Sequence, residues 1–131
     1  MSEKHILLVE DNSNDVTLTI MALKKIGIKN RLVVVPDGRE ALLYLMASEL
    51  KEPPAVVLMD LKLPFVDGIE VLRQIRANEK TQFLPVIILS ASIDVNDRAR
   101  SFEMGANDFQ CKPISFNEFV NLMQEICAQW L

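Results

Sequence analysis

Val56-Val57-Leu58-Met59-Asp60 is a short apolar run, rich in β-branched residues, that stops abruptly at an acid. A run of this length reads as a buried strand, and its last residue is delivered to the strand's carboxyl end. In an open α/β sheet, ligands collect in the crevice beyond those ends, so a metal or substrate would reach Asp60 without opening the core. An acid after a strand also serves as a helix cap or a solvated loop residue, so its meaning depends on how the other strands end.

Working outward, the same pattern recurs. His5-Ile6-Leu7-Leu8-Val9 is a second apolar run and ends in Glu10-Asp11. Asn12-Ser13-Asn14-Asp15 offers caps for a helix carrying Val16, Ile20 and Leu23, stopped by Gly27. Residues 30–35 read as the next strand. Pro36 breaks it, and Asp37 with Glu40 opens a helix through Ala41, Leu42 and Leu45 that fades near Ser48, before Glu52-Pro53-Pro54 leads into the central strand at Ala55. Beyond Asp60, a loop from Leu61 to Gly68 precedes a helix capped by Asp67 with Glu70, carrying Ile69, Leu72 and Ile75. Pro85 introduces the strand Val86-Ile87-Ile88-Leu89, which ends in Ser90-Ala91-Ser92, and Asp94 caps a fourth helix whose expected inner face is Val95, Ala99 and Phe102. Asp108-Phe109-Gln110-Cys111 is a short fifth strand ending in Lys112-Pro113. Ser115 with Glu118 then starts the clearest amphipathic helix, with Phe116, Phe119, Val120, Met123, Ile126, Cys127 and Trp130 at helical spacing. Five alternations of strand and helix require parallel pairing and right-handed crossovers, hence a doubly wound α/β sheet.

Composition sets bounds on function. A chain of 131 residues is one domain with one sizeable core. Its apolar runs stay far below the ~18 to 20 residues of a membrane span, and Met1-Ser2-Glu3-Lys4 enters a strand-like segment without a secretory leader, so the cytoplasm is the expected location. Cys111 and Cys127 lack metal-ligand spacing and read as reduced thiols. A formal net charge of −4 argues against a nucleic-acid binder.

In such a sheet the ends of strands 1, 3, 4 and 5 place Glu10, Asp11, Asp60, Ser90 and Lys112 around one crevice. Carboxylates held together repel one another and invite a hard divalent cation. Mg²⁺ suits a site of one or two carboxylates, a backbone carbonyl and waters. A lysine supplies a point charge to a phosphoryl group and a serine hydroxyl can donate to its oxygen, so the set is suited to forming and holding a phosphorylated carboxylate.

The chain resembles the receiver domains of two-component response regulators over nearly its whole length. The resemblance rests on Val9-Glu10-Asp11-Asn12, on Leu58-Met59-Asp60-Leu61-Lys62-Leu63-Pro64 with Asp67-Gly68, on Ile88-Leu89-Ser90-Ala91, and on Gly105-Ala106-Asn107-Asp108-Phe109 through Lys112-Pro113. It implies a flavodoxin-like five-stranded sheet of order 2-1-3-4-5, and a phosphoryl group passed from a sensor histidine kinase to Asp60. It also implies Mg²⁺ held directly by Asp11 and Asp60, with Glu10 helping through water and Lys62 lending its backbone carbonyl. Ser90 would bond the phosphoryl oxygen, Lys112 would neutralise it, and a cis peptide would join Lys112 to Pro113. Ser90 and Phe109 occupy the switch positions, Phe109 standing where many relatives carry tyrosine. Leu63-Pro64-Phe65-Val66-Asp67-Gly68 and the connection over residues 78–83 are similar to regulators paired with bacterial phytochromes.

Two other functions compete. A Mg²⁺-dependent phosphatase of the haloacid dehalogenase type also uses a strand-terminal aspartate, but needs a second acid two residues later, where Lys62 stands. A pseudo-receiver that only binds partners would not need the full set of acids, hydroxyl and lysine. His5, the only histidine, reads as structural. With residues 1–131 as a single receiver and no output domain, the signal is expected to leave by protein contacts to a downstream partner. Phosphorylation is expected to favour a homodimer through the fourth helix, fifth strand and fifth helix, using Ile93, Ile114 and Leu122.

Overall fold

The computed structural model describes residues 4–47, 50, 52–91 and 94–131. The chain runs β1 (Ile6–Val9), α1 (Ser13–Lys25), β2 (Leu32–Val35), α2 (Gly38–Met46), β3 (Val56–Met59), α3 (Gly68–Ala77), β4 (Val86–Ser90), α4 (Val95–Glu103), β5 (Asp108–Cys111) and α5 (Phe116–Trp130). All pairings are parallel and the sheet order is β2-β1-β3-β4-β5, as the resemblance implied. The strand order reverses direction at β1, so the crevice beyond the strand ends opens between β1 and β3.

The core has two sides because successive strand residues face opposite ways. Leu7, Val9, Val57, Met59, Val86 and Ile88 pack against α2 and α3 through Ala41, Leu45, Val71, Leu72 and Ile75. Ile6, Leu8, Val56, Leu58, Ile87 and Leu89 pack against α1 and α5 through Ala22, Leu23, Val120, Met123 and Ile126. Burial on both faces explains why β1 and β3 read as continuous apolar runs rather than alternating ones.

The helices start where the capping residues stand. The backbone N–H groups of Asp15, Glu40, Glu70 and Asn96 donate to the side chains of Asn12, Asp37, Asp67 and Asp94 at 2.8–3.0 Å, and that of Glu118 to Ser115 at 3.3 Å. The helices run antiparallel to the strands, so these termini ring the crevice.

Several expectations are corrected. On α4, Val95 is 77% exposed and Phe102 40%, and Ala99 is exposed too. The residue turned fully inward is Ser101, whose hydroxyl donates to the Asp97 carbonyl at 2.8 Å; satisfied within the helix, this small side chain can be buried, and the bulkier residues face out. On α1, Thr19 takes the inward position by the same device, donating to the Asp15 carbonyl at 2.8 Å, and Ile20 is left exposed. Leu122, expected off the core stripe, is buried against the α1 and α5 side of the sheet. β2 begins at Leu32 because Asn30 turns aside to donate its amide to the Lys4 carbonyl at 2.7 Å. Ser48, Ser92 and Ile93 lie outside the described residues.

Two smaller expectations stand. His5 is buried and meets the Tyr44 hydroxyl through Nε2 at 2.8 Å, a core histidine. Both cysteines are free; Cys111 is exposed, whereas burial pushes the Cys127 thiol up to about 11. Sequence reading missed Arg76. From α3 it donates to the carbonyls of Gly105, Gln82 and Leu84 and to Asn107 Oδ1, at 2.7–3.1 Å. Asn107 Oδ1 also accepts from the Val86 N–H at 2.9 Å, so one arginine and one asparagine fasten the entries to β4 and β5.

Candidate functional site

Register alone brings the acids together. Val9 pairs with Met59, so Glu10 and Asp60 leave neighbouring strands at the same level, and the Asp60 N–H donates to the Val9 carbonyl at 3.1 Å. Ser90 pairs with Cys111, and the Lys112 N–H donates to the Ser90 carbonyl at 2.8 Å, which launches the Lys112 side chain back over the sheet. Its ammonium meets Glu10 Oε1 at 2.5 Å, Asp15 Oδ2 at 2.9 Å and Asp60 Oδ2 at 3.1 Å.

The peptide before Pro113 is trans, not the cis bond that the resemblance implied. Lys112 reaches all three carboxylates from the trans form, which is also the intrinsically preferred isomer before proline.

Electrostatics follow from burial. Glu10 is 4% exposed, and loss of water raises its carboxyl above the usual range while the bond from Lys112 opposes the rise. Burial also works against the Lys112 charge, but the bonds to Glu10 and Asp15 and the charge of Asp60 outweigh it, so its pKa moves up and it stays an ammonium. Three acids, Glu10, Asp15 and Asp60, thus share the Lys112 ammonium, and Asp11 stands with Glu10 and Asp60 in the same cluster of carboxylates.

Glu10, Asp11 and Asp60 each offer an oxygen within 4.8 Å of the others, a donor set of hard ligands with excess negative charge that fits a divalent cation such as Mg²⁺. Asp11 is exposed and opens, with Lys62, Pro64, Asp67, Asp97 and Arg100, onto a groove of about 440 Å³.

The loop after Asp60 is shaped to hold the carboxylate. Asp60 Oδ1 accepts from the Lys62 N–H at 3.2 Å, and the Gly68 N–H donates to the Leu61 carbonyl at 2.7 Å. A Cβ at Gly68 would stand 2.7 Å from the Asp60 carbonyl oxygen, so α3 can start against the acid's own backbone only with glycine there. Phe65 has a φ of 66° in a turn closed by the Val66 N–H on the Pro64 carbonyl at 2.8 Å, a sparsely populated conformation for a bulky residue.

The five residues named from the sequence therefore sit at one end of the sheet, and three of them touch. Ser90 is buried at the end of β4, beside β3. Phe109, at the switch position, is 5% exposed and packed in the core. Lacking a hydroxyl, its ring has no polar end to keep near water. Asp15 was missed: its place in the first turn of α1 had marked it only as a capping residue.

The response regulator receiver domain family matches residues 6–124. The chain belongs to that family. Among curated relatives, the probable methanogenesis regulatory protein FilR2 of Methanothrix harundinacea is 38% identical over 128 residues, covering 96% of this chain and 83% of that protein. Response regulator Rcp1 of Synechocystis is 34% identical over 131 residues, covering 98% and 89%. The phosphorylated cyanobacterial phytochrome response regulator RcpA superposes with a TM-score of 0.90 at 33% identity, covering 98% of this chain and 94% of that one. The bacteriophytochrome response regulator AtBRR does so with 0.80 at 43%, covering 100% and 97%. Rcp1 has also been solved in a Mn²⁺-bound form, with a TM-score of 0.86 at 33% identity, covering 98% and 95%. The chain is accordingly a two-component response regulator, and RcpA and AtBRR among its relatives are phytochrome response regulators.

Proposed function

We propose that Asp60 is the phosphoryl acceptor and that a histidine kinase, of the bacterial phytochrome type, is its donor. The observation that carries this reading is the Lys112 ammonium bridging Asp60 and buried Glu10 beside an exposed Asp11. One oxygen of the Asp60 carboxylate attacks phosphorus in line. The O–P bond forms, the P–N bond to the kinase histidine breaks, and its electron pair stays on the imidazole. Asp11 and Asp60 would hold Mg²⁺ directly, Glu10 through water and Lys62 through its carbonyl. Bound there, the ion neutralises phosphoryl oxygens. Lys112 then pairs with the phosphoryl group and the Ser90 hydroxyl donates to it, while Phe109 fills the core beneath. Likeness to RcpA and AtBRR supports the phytochrome donor, and a cytoplasmic location is consistent with that pairing. Among the described residues no helix is long and apolar enough to cross a membrane. Transfer of labelled phosphate from an autophosphorylated bacterial phytochrome tests the donor. Stoichiometric loss from the kinase with gain on this chain is expected; failure with that donor alongside uptake from acetyl phosphate would replace the donor and keep Asp60.

In this reading residues 1–131 act as a single receiver whose output is contact with a downstream protein, and phosphorylation favours a homodimer through α4, β5 and α5. Exposed Val95, Phe102 and Ile114 on and beside these elements support that face, in place of buried Leu122. Sedimentation equilibrium with the beryllofluoride adduct should show a dimer where the untreated protein is a monomer. A monomer in both conditions removes the interface, and a dimer in both removes its control by phosphorylation.

A further inference from the structure

We propose that Asp15 is a positioning residue for Lys112: it holds one ammonium proton in the unphosphorylated protein and surrenders it to the incoming phosphoryl group. The inference rests on Asp60 being the acceptor. An ammonium has three protons and no lone pair. Here three carboxylate oxygens lie around it, those of Glu10 at 2.5 Å, Asp15 at 2.9 Å and Asp60 at 3.1 Å, so its donating capacity is filled before any phosphate arrives. A phosphoryl oxygen can be bonded only if one partner lets go. Glu10 is poorly placed to do so, because its side chain is 3% exposed and would be left buried and charged without its cation. Asp60 is the reacting group itself. Asp15 has a side chain 36% exposed in the first turn of α1, where water can replace the lysine. It is the partner released at least cost.

Two consequences follow. The unphosphorylated state carries a bond that must be broken during phosphorylation, and Asp15 adds a negative charge beside an incoming phosphoryl anion. Both slow uptake. Removing the side chain therefore accelerates phosphorylation, opposite to the effect of removing an acid that binds the metal.

The test uses the whole chain with acetyl phosphate at saturating Mg²⁺, where acetate leaves with the electron pair of the broken P–O bond. Asp15→Ala should be phosphorylated about two- to fivefold faster than wild type in low salt, the scale of a partly exposed ion pair. The advantage should shrink at about 1 M salt, where the Debye length falls to about 3 Å and the exposed side of the pair is screened. Asp15→Glu, which keeps the charge, should stay near the wild-type rate. Asp15→Asn, which keeps the shape, should be accelerated even if the alanine variant folds poorly. In metal-free protein, the Lys112 ammonium protons observed by ¹⁵N NMR should exchange with water faster in Asp15→Asn than in wild type. Variant rates at or below wild type, or unchanged proton exchange, would overturn the role of Asp15. Absence of labelling on Asp60 in wild type would overturn this inference and the acceptor assignment together, whereas labelled wild type with unaccelerated variants would overturn this inference alone.

Discussion

Asp60→Asn should lose phosphorylation by about a hundredfold or more, the scale of removing a nucleophile, while melting no lower than wild type. The amide has the volume of the carboxylate, and its oxygen can still accept from the Lys62 N–H, so the loop after β3 keeps its closing bond. What disappears is the anionic oxygen that attacks phosphorus and one of the three oxygens grouped for a cation. What also disappears is a negative charge from three acids around one ammonium, with Asp11 beside them. Without metal the neutral variant is relieved of repulsion, so its unfolding midpoint should equal or exceed that of wild type. A midpoint well below wild type would show that the Asp60–Lys112 contact outweighs the repulsion. Undiminished labelling would show that another residue accepts the phosphoryl group.

Lys112→Ala should destabilise the metal-free protein by about 2–4 kcal/mol at neutral pH, measured by urea unfolding. The ammonium is only 16% exposed and neutralises Glu10 at 3% and Asp60 at 15% exposure; truncation leaves two like charges facing each other with little water. The figure sits below the range for a fully buried pair because Asp15 can be resolvated. The pH dependence has a definite sign. Burial already raises the Glu10 pKa, and a raised carboxyl pKa means that the folded state takes up a proton more readily than the unfolded chain. Without Lys112 that rise is larger, so the deficit is full above the folded-state pKa of Glu10 and shrinks as the pH falls through it. Mg²⁺ should restore part of the loss. Unfolding curves that coincide with wild type at neutral pH would contradict the electrostatic account of the cluster.

The architecture was legible because it depends on features that sequence carries locally. Runs such as Val56–Met59 are buried on both faces and so lack alternation, and the caps at Asp37, Asp67 and Ser115 act within three residues of themselves. The grouping of Glu10, Asp60 and Lys112 follows from parallel strands ending on one side. Less legible were choices decided by tertiary contact. Ser101 and Thr19 displaced larger apolar neighbours from the inward positions because their hydroxyls bond within their own helices, a possibility that hydrophobic spacing ignores. Asp15 and Arg76 were missed since their partners, Lys112 for Asp15 and Asn107 for Arg76, lie 97 and 31 residues away in the chain. The positive φ at Phe65 left no trace either, because glycine or asparagine is the residue type that signals such a turn.

The central claim is that Asp60, set among metal-binding acids and faced by Lys112, is phosphorylated in a Mg²⁺-dependent reaction. Intact-protein mass spectrometry of the wild-type chain, after acetyl phosphate with Mg²⁺ or with a chelator and followed by site mapping, tests it most directly. The account predicts a single added phosphoryl group that maps to Asp60, is removed by hydroxylamine as an acyl phosphate should be, and is missing when the metal is chelated. No added mass with Mg²⁺ present, or a phosphoryl group mapped to any other residue, would contradict it.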